Sequence, residues 1–339
     1  MRSIRVLIAV SIASVLLAGC SATTQSLPSG PTITGTPTLS INDALTSASC
    51  TTTSCIAVST SQYGSGEQYT ESSKTWTALQ LPATPLQITA SSCWTTGCLL
   101  TGNTATSQFL WKYSFGFLST LQMPTMFQTI RSIDCFADST CAAIGFDPST
   151  SLLELSLSQD SAATWSTPVA LPSTFSAGGQ ISMSCDDVNN CLVSGASRSG
   201  SSTLLYATHT GGTKWLQRPL NTSWTSLRSL SCNVLTCVGT MTDSSGNSFI
   251  VRTKTFGRIW KKVSSSNSGV TAMACTNSNT CVVIGATKKN EPWLETLHKD
   301  VLVVNKLNYV ATPFNDVACL PTTCVVVGNT SVATVPLNS

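Results

Sequence analysis

Seven doublets of cysteine constrain this chain more than any other feature. The pairs are Cys50/Cys55, Cys93/Cys98, Cys135/Cys141, Cys185/Cys191, Cys232/Cys237, Cys275/Cys281 and Cys319/Cys324. Successive first cysteines lie 43, 42, 50, 47, 43 and 44 residues apart. A fixed period in this range marks a repeat architecture, in which each unit buries its apolar face only against its neighbours. A single continuous core is therefore excluded.

Each repeat has a legible first half. The run into the first cysteine alternates apolar and polar residues, as in Ile130-Arg131-Ser132-Ile133-Asp134-Cys135 and Leu227-Arg228-Ser229-Leu230-Ser231-Cys232. This period of two predicts a half-buried strand. A polar turn follows, such as Asp186-Asp187-Val188-Asn189-Asn190. A second strand then opens at the second cysteine with a continuous apolar run, as in Cys281-Val282-Val283-Ile284. In five of the seven repeats glycine stands four residues after that cysteine: Gly102, Gly145, Gly195, Gly285 and Gly328. Close backbone approach, where a Cβ would clash, is the expected reason.

The second half varies more. Its clearest version, Ser158-Gln159-Asp160-Ser161-Ala162-Ala163-Thr164-Trp165, resembles the Asp-box turn, with Ala162 where that motif has glycine. Looser copies are Thr208 to Trp215 and Thr253 to Trp260. The resemblance implies a hairpin between third and fourth strands, with the polar residue capping backbone amides and the tryptophan packing between strands. Asp160 is accordingly read as architectural rather than catalytic. Four strands per repeat and seven repeats predict an all-β, seven-bladed β-propeller of four-stranded antiparallel blades over residues 40–339. The chain resembles exported bacterial propellers with such boxes and, more distantly, photosystem II assembly factor propellers and the sialidase superfamily. The last repeat is short, because only fifteen residues follow Cys324. Residues between about 22 and 40 are expected to supply its outer strand, since an incomplete blade leaves an open edge.

The doublets admit two chemistries. As disulfides, each would close the mouth of a hairpin, where cross-strand neighbours lie within bridging distance. As zinc ligands they have too wide a spacing, and the chain has only two histidines, His209 and His298. The expectation is seven disulfides and no metal or other cofactor. That chemistry belongs to an oxidising compartment.

The N-terminus agrees. Arg2 and Arg5 precede an apolar stretch, Val6 to Leu17, of about a dozen residues, too short to span a bilayer as a mature helix. It ends in Leu17-Ala18-Gly19-Cys20, which resembles the lipobox of bacterial lipoproteins. The resemblance implies cleavage before Cys20 and acylation of its thiol. Residues 1–19 are then a signal peptide and 20–39 a Pro- and Gly-bearing tether. A plain secretory signal is the competing reading. Cys20 is also the one thiol left over from fifteen cysteines. The expected protein is exported, monomeric and held by lipid at Cys20 to the extracytoplasmic side of a bacterial membrane.

Loss of Arg2 and Arg5 leaves sixteen basic against fifteen acidic residues. A net charge near zero gives no field for nucleic acid, which is not expected as a partner. Catalytic groups are sparse. The six remaining arginines do not follow the sialidase pattern, and no pair of carboxylates is marked. Arg131 and Arg228 alone form a constellation, each standing four residues before a first cysteine. If the first strands line the axis, both face one end of the channel and are candidates to receive an anionic group. The expected function is a non-enzymatic platform for a protein or glycan partner. The alternatives are a glycoside hydrolase of sialidase-like fold and an adhesive or structural surface protein.

Overall fold

The computed structural model describes residues 29–33, 44–59, 65–82, 86–104, 106–200, 202–265, 269–277, 279–298, 300–307, 313–329 and 332–337. Residues 1–19, the expected signal peptide, and Cys20 lie outside the described residues.

Seven antiparallel sheets follow one another along the chain, each built in order from an innermost to an outermost strand. They span residues 47–78, 86–121, 129–170, 181–217, 224–265, 269–307 and 314–336, and are numbered here as blades one to seven. The innermost strands pack side by side around a ring that closes where Phe314–Cys319 of blade seven meets Ser47–Cys50 of blade one. The protein is a seven-bladed β-propeller.

The two predicted strand patterns follow from position in a blade. The second strand is covered on both faces by neighbouring blades, so its side chains are buried throughout, as in Thr323–Gly328. The clusters that hold the ring together lie between blades. Ile56 and Val58 of blade one, for example, pack with Ile88, Leu100, Phe109 and Trp111 of blade two. The innermost strand has one face on this core and the other on the channel, which preserves alternation.

All seven cysteine doublets are disulfides: Cys50–Cys55, Cys93–Cys98, Cys135–Cys141, Cys185–Cys191, Cys232–Cys237, Cys275–Cys281 and Cys319–Cys324. Each joins directly opposed residues of the first two strands, with Cα atoms 3.9 to 4.1 Å apart. The two ends of each bridge differ in surroundings. Cys55, Cys98, Cys141, Cys191, Cys237, Cys281 and Cys324 open the sandwiched second strand and are sealed in the core, whereas Cys50, Cys232, Cys275 and Cys319 on the innermost strand are only half-buried. The bridges lie together around one mouth of the channel, so the ring has a disulfide face and an opposite face.

The glycines answer to a second device. In blades two, three, six and seven the register of the innermost strand slips by one residue opposite Gly102, Gly145, Gly285 and Gly328. A bulge puts the partner backbone where a Cβ would lie. At Gly102 an added Cβ would stand 2.0 Å from the Gln87 carbonyl oxygen, which cannot retreat without breaking the ladder. Gly102→Ala should therefore cost about 2–3 kcal/mol, as overpacking against rigid backbone does. Denaturant titration checks this, and a loss below about half a kcal/mol contradicts it. Blade five, with no glycine at this place, has two slips, one between Trp224 and Ser226 and one between Arg228 and Ser231.

The turns between third and fourth strands share one geometry in blades three, four and five. The Ala162 N–H donates to Ser158 Oγ (2.9 Å), Gly212 to Thr208 Oγ1 (2.9 Å) and Gly257 to Thr253 Oγ1 (3.2 Å). Two residues on, Asp160, Thr210 and Thr255 accept from Thr164, Lys214 and Ile259 in the same way. Thr164, through its hydroxyl and its N–H, holds the Asp160 carboxyl below the usual carboxylate range. Trp165, Trp215 and Trp260 pack against the inter-blade clusters. These polar residues serve the turn.

One expectation about the N-terminal segment meets a different arrangement. Ser29–Ile33 does form an outer strand, but on blade six, parallel to Val301–Leu307. Blade seven has three strands among the described residues, and Ser29–Ile33 also lies near its outer strand, Val332–Pro336. The reason is which edge needs cover. Blade six offers a seven-residue edge, Val-Leu-Val-Val-Asn-Lys-Leu, whereas the edge of blade seven is five residues long and ends in a proline that cannot donate.

Candidate binding mouth of the axial channel

The innermost strands of different blades share no ladder, so side chains join them. A pattern recurs at the residue before the first cysteine. The Cys135 N–H donates to Ser92 Oγ (2.8 Å), Cys185 to Asp134 Oδ2 (2.7 Å) and Cys232 to Ser184 Oγ (3.0 Å). Each acceptor belongs to the preceding blade. Two residues earlier, Asp316 Oδ2 of blade seven takes the Ala48 N–H of blade one (2.8 Å), and Ser182 Oγ takes that of Leu230 (3.3 Å). The small polar residues that alternate with apolar ones are thus inter-blade acceptors. Burial pushes the carboxyls of Asp134 and Asp316 up to about 6, against the pull of the N–H groups they accept.

At the end of the channel away from the disulfides lies a cavity of about 680 Å³. Arg131 and Arg228 both border it, as do Thr89, Asn103, Gln108 and Gln180. Arg131 occupies the slipped position of its strand, between Ile130, which pairs with Gly145, and Ser132, and Arg228 stands immediately before the second slip in blade five. Bulges turn side chains out of the regular pleat, and both guanidinium-bearing residues are exposed. The Arg228 Nε–H donates to Ser226 Oγ (3.0 Å). Arg131 has no hydrogen-bond or ion-pair partner among the described residues, and no carboxylate borders the cavity. Two buried polar atoms of its wall, Thr129 Oγ1 and Gln108 Oε1, also have no partner. The Gln108 amide is oriented by donating to Asn103 Oδ1 (2.6 Å). This end of the channel thus brings together two guanidinium-bearing residues and a polar, incompletely bonded wall.

The opposite mouth is different. A second cavity, about 740 Å³, is bordered by Cys50, Cys93 and Cys135 together with Trp94, Phe136 and Leu320. The second-strand cysteines, Cys55, Cys191 and Cys237 among them, border neither this cavity nor the Arg131/Arg228 one. They belong to the frame and not to a binding surface. Asp138 is the only carboxylate at the disulfide-face cavity among the described residues. The two histidines lie apart, at the ends of the third strands of blades four and six. His209 Nδ1 pairs with Asn190 Oδ1 (2.6 Å) and Nε2 with Arg218 (2.9 Å). Burial, then Arg218 and Arg258, hold its imidazole below the usual range. That network ties a hairpin to the next blade and reaches neither mouth.

Sequence alone identified Arg131 and Arg228 and placed them at one end of the channel. It did not reveal Gln108, which opens the third strand of blade two, or Thr129, which opens the strand that carries Arg131, nor the acceptor role of Asp134 and Asp316. For Asp134 the available signal was the polar residue that precedes the first cysteine in five of the seven repeats; Asp316 stands three residues before Cys319 and carried no such mark.

No family model matches the sequence, and no curated protein matches it. Solved structures are similar in fold. The structure of YCF48 bound to D1 peptide is 12% identical and covers 94% of this chain and 100% of its own, with a TM-score of 0.64. The GH74 xyloglucanase of Xanthomonas campestris is 11% identical over 88% of this chain and 53% of its own, with a TM-score of 0.63. U3-55K is 9% identical over 91% of this chain and 100% of its own, at 0.64. Such identities establish a shared propeller and nothing about chemistry.

Proposed function

We propose that the protein is a lipid-anchored, extracytoplasmic binding platform that receives an anionic group of a protein or glycan partner at the Arg131/Arg228 mouth. The carrying observation is the cavity itself, which presents two guanidiniums and no counter-charge. A rigid ring with variable loops suits recognition. The seven disulfides accord with a location outside the cytoplasm, and Cys20 supplies the attachment point that the lipobox resemblance implies. YCF48, similar in fold, was solved with a peptide bound. Hydrolysis of a glycoside ordinarily uses two facing carboxylates, or a tyrosine nucleophile with an acidic residue in the sialidase type. Among the described residues the Arg131/Arg228 cavity has none and the disulfide-face cavity has one, which favours binding over turnover.

The test is binding of fluorescent acidic peptides and uronic-acid oligosaccharides of matched charge. Arg131→Ala/Arg228→Ala should weaken the preferred probe by at least about tenfold per guanidinium, since hydrogen bonds to charged groups contribute about 1.5–3 kcal/mol. Affinity should also fall as salt rises. Equal affinity in the parent and the double variant would remove this mouth from the reading.

A further inference from the structure

The disulfide face carries a feature that the binding mouth does not use. Between blades five and six on this face lies a groove of about 360 Å³. Arg252, Lys254, Lys261 and Lys262 border it, with Asp300 as its only carboxylate among the described residues. Lys261 is directly opposite Arg252 across the ladder, so the pleat sets these two on one side of the blade, and Lys254 follows in the turn one residue past the strand end. Arg252 is 7% exposed. Its terminal nitrogens pair with Asp300 and with Asn279 Oδ1 (2.5 Å), but its buried Nε has no partner. The groove therefore has one more cationic donor than its own residues satisfy, and three exposed lysines, Lys254, Lys261 and Lys262, at its rim. Ile259 and Val263 supply an apolar wall.

Beside this groove the tip of blade five is unusually apolar for a surface. Ile259 is 63% exposed, Val234 64% and Leu235 55%. They form one patch, because the Phe256 N–H donates to the Leu235 carbonyl and so joins the two turns that carry them (2.9 Å). Aliphatic tips with a cationic rim are the composition of surfaces that enter a lipid–water boundary.

The path of the chain selects the same face. Ser29–Ile33 runs parallel to Val301–Leu307, which rises from a disulfide-face turn, so Ser29 is the end nearer that face. Cys20 precedes Ser29 by nine positions, a reach of at most about 30 Å. Acyl chains at Cys20 would hold the membrane within that distance of blade six, the blade that forms one wall of the groove.

We propose that this groove binds the phosphate headgroup of an anionic phospholipid, with Val234, Leu235 and Ile259 dipping into the interface. The ring then sits disulfide face down, and the Arg131/Arg228 mouth opens away from the membrane. The orientation rests on the lipid-anchor reading, whereas the headgroup site does not. The test accordingly uses the chain with Cys20→Ser, which cannot be acylated. Flotation is measured with phosphatidylcholine vesicles and with vesicles containing about one-third phosphatidylglycerol. The expected result is flotation on the anionic vesicles alone, lost at high salt, and weakened about tenfold or more by Lys254→Ala/Lys261→Ala. Both lysines are exposed, so circular dichroism should be unchanged. Absence of flotation on anionic vesicles overturns the proposal, as does equal flotation of the lysine variant. Binding of inorganic phosphate to the groove without vesicle binding would make it a free-anion site and would also overturn it. The mass of the native N-terminal cysteine reports separately on the anchor, so either reading can fail without the other.

Discussion

Exhaustive reduction of the folded protein, without denaturant, should unfold the ring. Each disulfide closes a loop with a sequence separation of only five or six residues. The chain-entropy model gives such a closure roughly 2 kcal/mol. Seven of them sum to about 14 kcal/mol, comparable with the whole net stability of a typical protein, about 5–15 kcal/mol. The blades have little else to substitute, because each is a small sheet that buries apolar surface only against two neighbours. The expected readout is loss of the strand signal in circular dichroism below about 37 °C after reduction and alkylation. Replacing one doublet, Cys135→Ala/Cys141→Ala, should cost only its single share and leave a folded ring. A fully reduced protein melting within a few degrees of the oxidised one would remove the disulfides from any structural role.

The second large effect concerns Asp134 and Asp316, which should make the ring more stable at pH 5 than at pH 8. Both carboxyls have folded-state values near 6, raised by burial from an ordinary 3.8. Folding therefore takes up protons between about pH 4 and 6. The stability that the neutral form contributes is fully present below about 4 and is lost as pH rises through 6. A shift of about two units corresponds to roughly 3 kcal/mol per group at the upper limit. Asp134→Asn/Asp316→Asn keeps an oxygen for the Cys185 and Ala48 N–H groups and removes the charge. The double variant should melt several degrees higher than the parent at pH 8 and no higher at pH 4. Acid loss at still lower pH has a separate origin. Asp147, Asp160, Asp187 and Asp243 accept hydrogen bonds in turns that hold them below the ordinary range, and protonation takes those bonds away. A melting temperature that rises monotonically from pH 4 to 8 would contradict the assignment of these two half-buried carboxyls.

Much of the molecule was legible because its signals are local. A cysteine that opens a continuous apolar run, such as Cys55, Cys191 or Cys237, and another that ends an alternating one, report which strand is sandwiched and which borders the channel. The glycines after Cys98, Cys141, Cys191 and Cys281 were read correctly as sites of close approach. Only the ladder showed that a register slip creates the approach in blades two, three and six, and that the slipped residue in blade three is Arg131. The acceptor role of Ser92, Asp134 and Ser184 was not legible, because the N–H each one takes lies 43 to 51 residues away. The N-terminal strand was foreseen as cover for an edge but placed one blade too far. Edge complementarity depends on the relative lengths of two outer strands, and a short polar segment carries no mark of its partner.

The amino-acid order by itself determined the repeat, the blade number, the pairing of the sulfurs and the two arginines worth watching, since each depends on spacing within a few dozen residues. Closure of the ring decided the rest. It brought Arg131 and Arg228 to one mouth without a balancing carboxylate, and set the aliphatic turns of blade five beside Arg252 and the lysines. Those neighbourhoods are made by residues from different strands and blades, and the distances between them exist only once the circle is shut.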